Sequence, residues 1–586
     1  MTLSTSGKIR FVGSLLILLL ALYPQFISWV NDGTNGTYFV SNYDEPAYSA
    51  YVNALIEGSP RKFDPFLQTP SNAESLYSIQ ILPAYAVALP ARLFGVSVAT
   101  AFIFLIGAIA VASYLAVTKL LSEATGNGAV SAAAGLAVLC LGTAVTFQGE
   151  LRHLVTGSVL LDFLPFLRRY QPGFAFPIFF VFALAFYRSL FGSAKRLAWA
   201  AAAGILFAIL VFSYFYLWTA AAAWATCLAA LAIVFAKEER TQMTKSLAVT
   251  GVIAVGALIP YFVMLGNRAS DLDAVQLLTR TRAPIFLSPV MIVGIIVGVA
   301  AFLLARSKKT ALSDPRLLLV LSFVILPAIL LNQQVVTGIM LQPVHYEIFI
   351  CNYLVLMAAS IVLFGIVGIG KDGSAATAKL SAIILLIAGV WGLFEVSAST
   401  ARASAAAFIR DESMPALRLS AQKAQSNRAV VAATNFVTAD ITPSVGKLRP
   451  LWNAHLSSAG GVSIAENKRL FYLYLYFGGY GPDDLDKALR MKSFETTAAI
   501  FGSERALPEL ADPTEQITPA EIGEEAAKFR AFIAALTKET ATVPQLSYIV
   551  VPAKEEGDLA NVDRWYQRDG GTDVGLFRVY KLGVRQ

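Results

Sequence analysis

Repeated apolar stretches constrain the fold of this 586-residue chain more than any other feature of its sequence. Hydrophobic residues make up 56% of the chain and charged residues only 15%, whereas soluble domains carry about 25% charged residues. Runs of roughly 17–25 apolar residues match the hydrocarbon thickness that one α-helix crosses. We therefore expect a polytopic α-helical membrane protein with about 11 transmembrane helices. The predicted spans are residues 11–30, 99–118, 128–147, 173–191, 197–214, 217–236, 246–265, 285–305, 317–334, 347–369 and 380–398.

The placement of Lys and Arg predicts the orientation, because cytoplasmic loops carry an excess of both residues. A cytoplasmic N-terminus puts most of the basic short loops inside, including those with Lys195, Lys237 and Lys308. We expect a multi-pass protein of the inner (plasma) membrane whose C-terminal domain is periplasmic or extracellular. The net charge of +7 then reflects topology, and we expect no nucleic-acid partner.

The composition changes near residue 399. Residues 1–398 form the predicted membrane domain, and residues 399–586 are mixed in polarity, with short strand patterns at 428–434, 546–552 and 574–581. Thr518, a following Pro and Glu521 predict the start of a helix with a capping box. We expect this C-terminal segment to form an extracytoplasmic α/β domain.

Four outer loops are longer or more polar than a connection between two helices requires. They cover residues 31–98, 148–172, 266–284 and 332–346. Long loops are usually functional or disordered, and the many aromatic and apolar residues here argue against disorder. We therefore expect these loops to carry the functional residues.

Two carboxylates, Asp44 and Glu45, follow the first span and directly precede Pro46, which suits the first turn of a helix predicted at 46–57 and ended by Gly58. The helix dipole and the free N–H groups favour an ionised carboxylate there. Such a group can accept a proton as a general base. The alternative is that one acid only caps the helix.

Residues 43–46, Tyr-Asp-Glu-Pro, followed by Tyr48 and Tyr51 and ending at Glu57 and Gly58, resemble the first outer loop of GT-C glycosyltransferases. The likeness is strongest to the branch that holds protein O-mannosyltransferases and lipid A aminoarabinose transferases. The stretch 81–95 is similar to the segment before the second helix of those enzymes.

This resemblance implies a hexosyl- or pentosyltransferase that moves a sugar from a polyprenyl-phosphate carrier to an acceptor hydroxyl on the outer side of the membrane. The reaction would invert the anomeric carbon, with Asp44 as general base and Glu45 as the neighbouring catalytic candidate. The implied partners are a polyprenyl-phosphate-linked sugar donor, a lipid, glycan or protein acceptor, and membrane lipid.

Outer-loop cations are candidates for binding the donor phosphate, because Arg can donate two hydrogen bonds to one phosphate. The candidates are Arg152, His153, Arg168, Arg169, Arg280 and Arg282. The alternative is contact with lipid headgroups, and Glu150 could instead pair with Arg152.

Polar side chains in the fourth loop need hydrogen-bond partners between two apolar helices, and sugar hydroxyls would supply them. The predicted sugar and acceptor contacts are Tyr48, Gln333, Gln334, Gln342, His345 and Glu347. The alternative is a loop that hydrogen-bonds to itself. The sequence requires no cofactor, and a divalent metal held by His345 and Glu347 stays open.

Two other functions are compatible with such a chain. A transporter or flippase for a lipid-linked glycan would place ionisable residues within the spans, where we find almost none. A non-enzymatic scaffold in envelope polysaccharide assembly would not need acids and arginine pairs in several loops. In the C-terminal domain, Trp452, His455 and the aromatic run 471–480 are expected in the core, with sugar contact as the alternative.

Overall fold

The computed structural model describes residues 4–32, 35–158, 163–269, 278–370, 375–424, 428–506, 516–554 and 559–586. The chain forms two compact units. The first contains Met1–Ile27, Phe102–Val263 and Arg280–Ala403, and the second contains Ser28–Ala101, Met264–Thr279 and Ser404–Gln586. The last division lies near the predicted boundary at 398, but the first outer loop and part of the third fold with the C-terminal segment.

Helices occupy all eleven segments that were predicted as spans. Seven helices in the described chain are long and apolar enough to cross a membrane. These seven helical regions are Thr5–Asp32, Val98–Thr125, Phe215–Phe235, Lys237–Gly266, Pro289–Ser307, Pro343–Val367 and Ala375–Lys423. Shorter apolar helices are Ile81–Phe94, Gly128–Cys140, Ala175–Phe191, Arg196–Val211 and Pro315–Leu331. The chain is thus a polytopic helical membrane protein, and the number of crossings stays a prediction.

Aromatic side chains fill the core of the first unit. Trp224 lies 5.8 Å from Phe323 and 6.0 Å from Phe182 between ring centroids, and its Nε1–H donates to Ser322 Oγ at 3.0 Å. A buried indole needs such an acceptor. Phe179 is fully buried in the same core.

The helical segment predicted at 347–369 is irregular. It begins with Pro343–Tyr346, widens into π-helical turns at Glu347–Cys351 and Ile361–Val367, and is α-helical at Asn352–Ser360 between them. Wide turns of this kind occur often at functional sites. The first one follows directly on the predicted fourth loop.

In the second unit, the first outer loop is largely structured. Its helix Glu45–Ile56 is followed by the antiparallel strands Phe63–Asp64 and Thr69–Pro70 and by the helices Leu76–Ile79 and Ile81–Phe94. The predicted termination at Gly58 is confirmed, since Gly58 has a φ of +88°, which glycine adopts without steric strain. Arg61 anchors the loop through two 2.6 Å contacts with the carboxylate of Glu74.

A mixed six-stranded sheet forms the centre of the second unit. Its strand order is Arg449–Pro450, Val430–Ala433, Leu546–Pro552, Phe577–Val584 and Tyr566–Arg568, and Thr572–Val574 also pairs with Phe577–Val584. The first two pairings are parallel and the pairings of Phe577–Val584 are antiparallel. All three predicted strand regions are found, so the C-terminal sheet domain is confirmed.

Helices surround this sheet. They are Phe436–Ile441, Ile464–Phe477, Pro482–Arg490, Phe494–Phe501, Ser503–Ala506, Pro519–Ala534, Lys538–Ala541 and Ala560–Asp563. The capping box predicted at Thr518 is present, because the Thr518 hydroxyl accepts from the Glu521 amide and the Glu521 carboxylate accepts from the Thr518 amide. The core between helix and sheet includes Leu417, Val431 and Val550, which are at most 1% exposed.

Candidate functional site

Asp44 occupies the N-cap position of helix Glu45–Ile56, but its side chain makes no capping hydrogen bond. Its backbone is fixed, because its N–H donates to Asn42 Oδ1 at 3.1 Å and its carbonyl accepts from the Tyr48 amide at 3.2 Å. The Asp44 side chain is 42% exposed. The capping alternative is therefore not what this structure shows for Asp44, and its carboxylate faces accessible space.

Glu45 has the opposite environment. The residue is 0% exposed, and its carboxylate accepts from the Ser41 amide at 2.9 Å and from the Ser41 hydroxyl at 3.1 Å. Its carbonyl accepts from the Tyr38 hydroxyl at 3.1 Å. Glu45, predicted as a second catalytic carboxylate, is thus buried in the turn that precedes its helix, and its catalytic role stays a prediction.

A histidine of the C-terminal segment lies beside Asp44 in the second unit. Nε2 of His455 is 3.8 Å from Asp44 Oδ1, and Nδ1 is 2.7 Å from Asp440 Oδ1. The first distance is that of an ion pair, and the second is that of a charge-assisted hydrogen bond. We call Asp44, His455 and Asp440 the Asp–His–Asp cluster.

Aromatic residues border the cluster. The ring of Tyr43 lies 4.5 Å from the imidazole of His455 and 5.1 Å from the ring of Phe494. Tyr77 is buried near Asp44, and burial, followed by the charges of Tyr48 and Asp44, raises the pKa of Tyr77 well above its usual range. The Tyr77 phenol therefore stays protonated and able to donate a hydrogen bond at physiological pH.

The charges around His455 determine its protonation. Burial opposes the imidazolium form, but the charges of Asp440 and Asp44 outweigh it and raise the pKa of His455 to about 10. An opposite charge within about 4–6 Å is expected to have this effect. His455 is therefore an imidazolium at neutral pH, between two carboxylates.

In the first unit, two of the predicted residues pack against Phe349. Arg168 follows the short helix Pro165–Leu167 and is 8% exposed, and its guanidinium carbon lies 5.6 Å from the ring centroid of Phe349. His345 lies 5.3 Å from Phe349 and 4.5 Å from Tyr216 between ring centroids. The structure thus brings together Arg168 and His345, which the sequence predicted from two different loops.

The other predicted cations have different environments. Arg169 is 2% exposed and donates from Nε to the Phe102 carbonyl at 3.1 Å, so this contact is internal to the fold. Arg152 and His153 are half-buried on helix Gly149–Thr156. Glu150, considered as a partner of Arg152, accepts instead from the guanidinium of Arg402.

Side chains of the third and fourth loops mostly hold these loops together. Arg282 donates to the Val335 and Val336 carbonyls, both at 2.9 Å, and Gln334 donates to the Ala283 carbonyl at 3.0 Å. Gln333 donates to the Ile339 carbonyl at 2.8 Å. The predicted alternative of a hydrogen-bonded loop describes Gln333 and Gln334, and the phosphate-binding role of Arg282 stays a prediction.

The remaining predicted residues are accessible to different degrees. Arg280 is exposed, and Gln342 and Glu347 are half-buried, while Tyr48 is 7% exposed. Residues 270–277 of the predicted third loop lie outside the described residues. Within the described residues, no group of three His, Cys, Asp or Glu side chains is arranged to hold a metal ion, so the metal at His345 and Glu347 stays a prediction.

Sequence reasoning missed two acids. Asp440 lies about 400 residues after Asp44 in a short helix, without a recognisable motif, although His455 was noted. Glu395 lies within the predicted span 380–398 and is 0% exposed. It accepts from the Thr143 hydroxyl at 2.9 Å and from the Glu150 amide at 3.2 Å, which supports the start of helix Gly149–Thr156.

The fold of the chain is similar to that of an arabinofuranosyltransferase of known structure. Among solved structures, the arabinofuranosyltransferase AftD from mycobacteria matches with a TM-score of 0.50 and 13% identity over 100% of this chain and 40% of its own length. The oligosaccharyltransferase AglB from Archaeoglobus fulgidus, solved with an inhibitory peptide and a dolichol-phosphate, matches with a TM-score of 0.47 and 12% identity. This match covers 98% of the present chain and 74% of AglB. ArnT from Cupriavidus metallidurans, bound to undecaprenyl phosphate, matches with a TM-score of 0.40 and 11% identity over 97% of each chain. No family model and no curated protein matches the sequence.

Proposed function

We propose that the protein is a membrane glycosyltransferase that moves a sugar from a polyprenyl-phosphate carrier to an acceptor hydroxyl, with Asp44 as general base. The observation that carries this proposal is the environment of Asp44. Its backbone is fixed at a helix start, its side chain is 42% exposed, and it does not cap its helix. A partly exposed carboxylate held in this way is suited to proton transfer.

The chemistry follows from a single displacement. Asp44 accepts the proton of the acceptor hydroxyl while that oxygen forms a bond to the anomeric carbon of the donor. The bond between the anomeric carbon and the phosphate oxygen breaks, and the electron pair leaves with the polyprenyl phosphate. Attack from the face opposite the leaving group inverts the anomeric carbon. A phosphate is a good leaving group, so positive charge and hydrogen bonds assist it more than a general acid does.

Arg168 is the residue that we propose to bind the donor phosphate. Its guanidinium is buried beside the ring of Phe349, and a cation removed from water gains strongly from an anionic ligand. Guanidinium geometry allows two parallel hydrogen bonds to one phosphate. His345 lies in the same unit as Arg168 and packs on Phe349 and Tyr216. We propose that it contacts the sugar or the phosphate of the donor.

Transfer assays with the full-length protein test the base. We would reconstitute it in nanodiscs, supply polyprenyl-phosphate pentoses and hexoses, and offer lipid, glycan and peptide acceptors. Asp44→Asn is expected to lower transfer by about 10²- to 10⁴-fold, the usual contribution of a general base, while donor binding stays intact. Asp483→Asn is the matched control, because this aspartate also lies at a helix start in the second unit but is 99% exposed.

Donor binding tests the phosphate assignment separately. Arg168→Ala is expected to weaken donor affinity by about 10- to 100-fold through loss of charged hydrogen bonds. Arg306→Ala, an exposed arginine of the same unit, should leave the affinity unchanged. If Asp44→Asn transferred sugar at the wild-type rate, Asp44 would not be the general base. If the protein bound no polyprenyl-phosphate carrier, the proposal that it is a glycosyltransferase would be contradicted.

A further inference from the structure

His455 is held in one position on all sides. It is 4% exposed, its carbonyl accepts from the Ser458 amide at 2.9 Å, and its ring lies against Tyr43. Asp440 holds Nδ1 at 2.7 Å. The imidazole therefore has little rotational freedom, and Nε2 is directed at one neighbour, the carboxylate of Asp44.

The elements that carry the cluster are packed together within the second unit. Asn53, on the helix that Asp44 begins, donates to the Gly446 carbonyl at 2.8 Å, just beyond the helix of Asp440. That helix is capped by Asn435, whose side chain accepts from the Thr438 amide at 2.8 Å. The helix that Asp44 begins is therefore held close to the segment that carries Asp440.

Several charged or titratable groups surround the cluster and share its electrostatics. Asp440 and Asp44 contact His455 directly, and Glu495 acts on Tyr43. Arg410, which is 8% exposed, lies within electrostatic range of Asp440 and Glu45. The negative groups near the imidazole outnumber this one buried guanidinium, so a positive charge on His455 is favoured.

We propose that His455, held by Asp440, is a positioning residue that orients the carboxylate of Asp44 and keeps it ionised for proton transfer. The inference rests on the proposed function of Asp44 and adds a role for the C-terminal segment in it. An imidazolium 3.8 Å away is close enough to attract one carboxylate oxygen and to move into hydrogen-bond distance. The other oxygen is then left to face the acceptor. The proton from the acceptor goes to Asp44, and His455 keeps its own.

The pH profile of transfer distinguishes positioning from a merely structural role. In His455→Gln, loss of the positive charge is expected to raise the pKa of Asp44, which moves the acidic limb of kcat/KM upward by about 1 pH unit. We expect kcat to fall about 10- to 100-fold and the KM for the donor to change less than about 2-fold. Asp440→Asn should show the same changes to a smaller extent.

Leu456→Ala is the control for lost packing in the same loop, because Leu456 is 0% exposed and carries no charge. It should lower the amount of folded protein without moving the acidic limb. If the acidic limb of the kcat/KM profile of His455→Gln lay at the same pH as in the wild type, while Asp44→Asn was inactive, the inference would be overturned and the proposed function would stand. Full activity of Asp44→Asn would overturn both.

A second measurement does not depend on activity. The chain has three histidines, so ¹⁵N-histidine labelling gives a simple spectrum in which the His455→Gln variant identifies the signal of His455. In the wild type we expect an imidazolium at pH 8. In Asp44→Asn the midpoint of its titration should fall by about 1 pH unit or more. An unchanged midpoint would show that His455 does not interact with Asp44.

Discussion

Asp44 and Glu45 are adjacent acids with opposite environments. Asp44 has a partly accessible side chain and no capping bond, and Glu45 is fully buried with Ser41 as its hydrogen-bond donor. The sequence identifies the pair and its position before a helix. It does not distinguish the two members, because that depends on how the loop before the helix folds back at Ser41.

Asp64 gives a prediction at the residue scale. It is 1% exposed, and burial raises its pKa to about 6 despite N–H donors at Phe66 and Leu67. In the unfolded chain the pKa of an aspartate is about 3.9. Ionisation of Asp64 therefore lowers the stability of the folded state, fully above about pH 6. This loss disappears below about pH 4, where the carboxyl is protonated in both states. Asp64→Asn is therefore expected to raise the free energy of unfolding by about 2–3 kcal/mol at pH 8, measured by thermal unfolding.

The same measurement at pH 3 supplies the contrast, since the Asp64 carboxyl is then mostly protonated in the folded and in the unfolded state, and the two proteins should unfold at similar temperatures. Asp483→Asn, at a 99% exposed position, should change neither value. Equal stabilisation by Asp64→Asn at both pH values would contradict the electrostatic explanation.

At the scale of elements, local sequence patterns predict the regular helices and strands, whereas short irregular segments carry no such pattern. The strand at Leu546–Pro552 and the helix beginning at Pro519 agree with the sequence, because a short run rich in β-branched residues and a capping box are local signals. Helix Ala375–Lys423 runs well past the predicted end at 398, because hydropathy reports where apolar residues end and not where a helix ends. The short helix Phe436–Ile441, which carries Asp440, is too brief to show a period.

Gly461 gives a prediction for the loop that follows His455. A Cβ at this position would overlap Oδ2 of Asp64 and lie 3.2 Å from Cδ1 of Leu67. Because Asp64 is fully buried and fixed by amide donors, it cannot easily move away. Gly461→Ala is expected to lower the free energy of unfolding by about 1–3 kcal/mol, as overpacking does, and chemical or thermal unfolding would measure it.

Gly523→Ala is the matched substitution, since a Cβ there meets no atom within 4 Å and alanine favours the helix Pro519–Ala534. It should leave the stability equal or slightly higher. If Gly461→Ala is as stable as Gly523→Ala, the close approach between the two loops is not a constraint on the fold.

At the scale of the whole molecule, the second unit consists of three separate stretches of sequence. Composition alone placed the domain boundary at 398, because it detects where the chain becomes polar. It cannot detect that residues 28–101 fold with the C-terminal segment. The resemblance of the first loop to GT-C enzymes marked Asp44 as a candidate base. That His455 and Asp440 lie beside it could be seen only in the folded unit.

This organisation predicts the behaviour of fragments. Residues 404–586 alone lack helix Glu45–Ile56, of which the first eleven positions, Glu45 to Leu55, are buried. We expect this fragment to expose apolar surface, bind a hydrophobic dye and give a weak near-ultraviolet circular dichroism signal. Joining residues 35–75 to it through a flexible linker should restore a cooperative unfolding transition. Cooperative unfolding of the fragment by itself would contradict the assignment of the first loop to this unit.

The separation of Asp44 from His455 along the chain has a consequence for biosynthesis. The ribosome adds Asp44 early and adds His455 only after more than four hundred further residues. A chain that terminates prematurely anywhere in this interval contains the proposed base, Asp44, without the histidine that lies beside it. If the proposed roles of both residues hold, such an incomplete chain should be nearly inactive even where its helices insert normally.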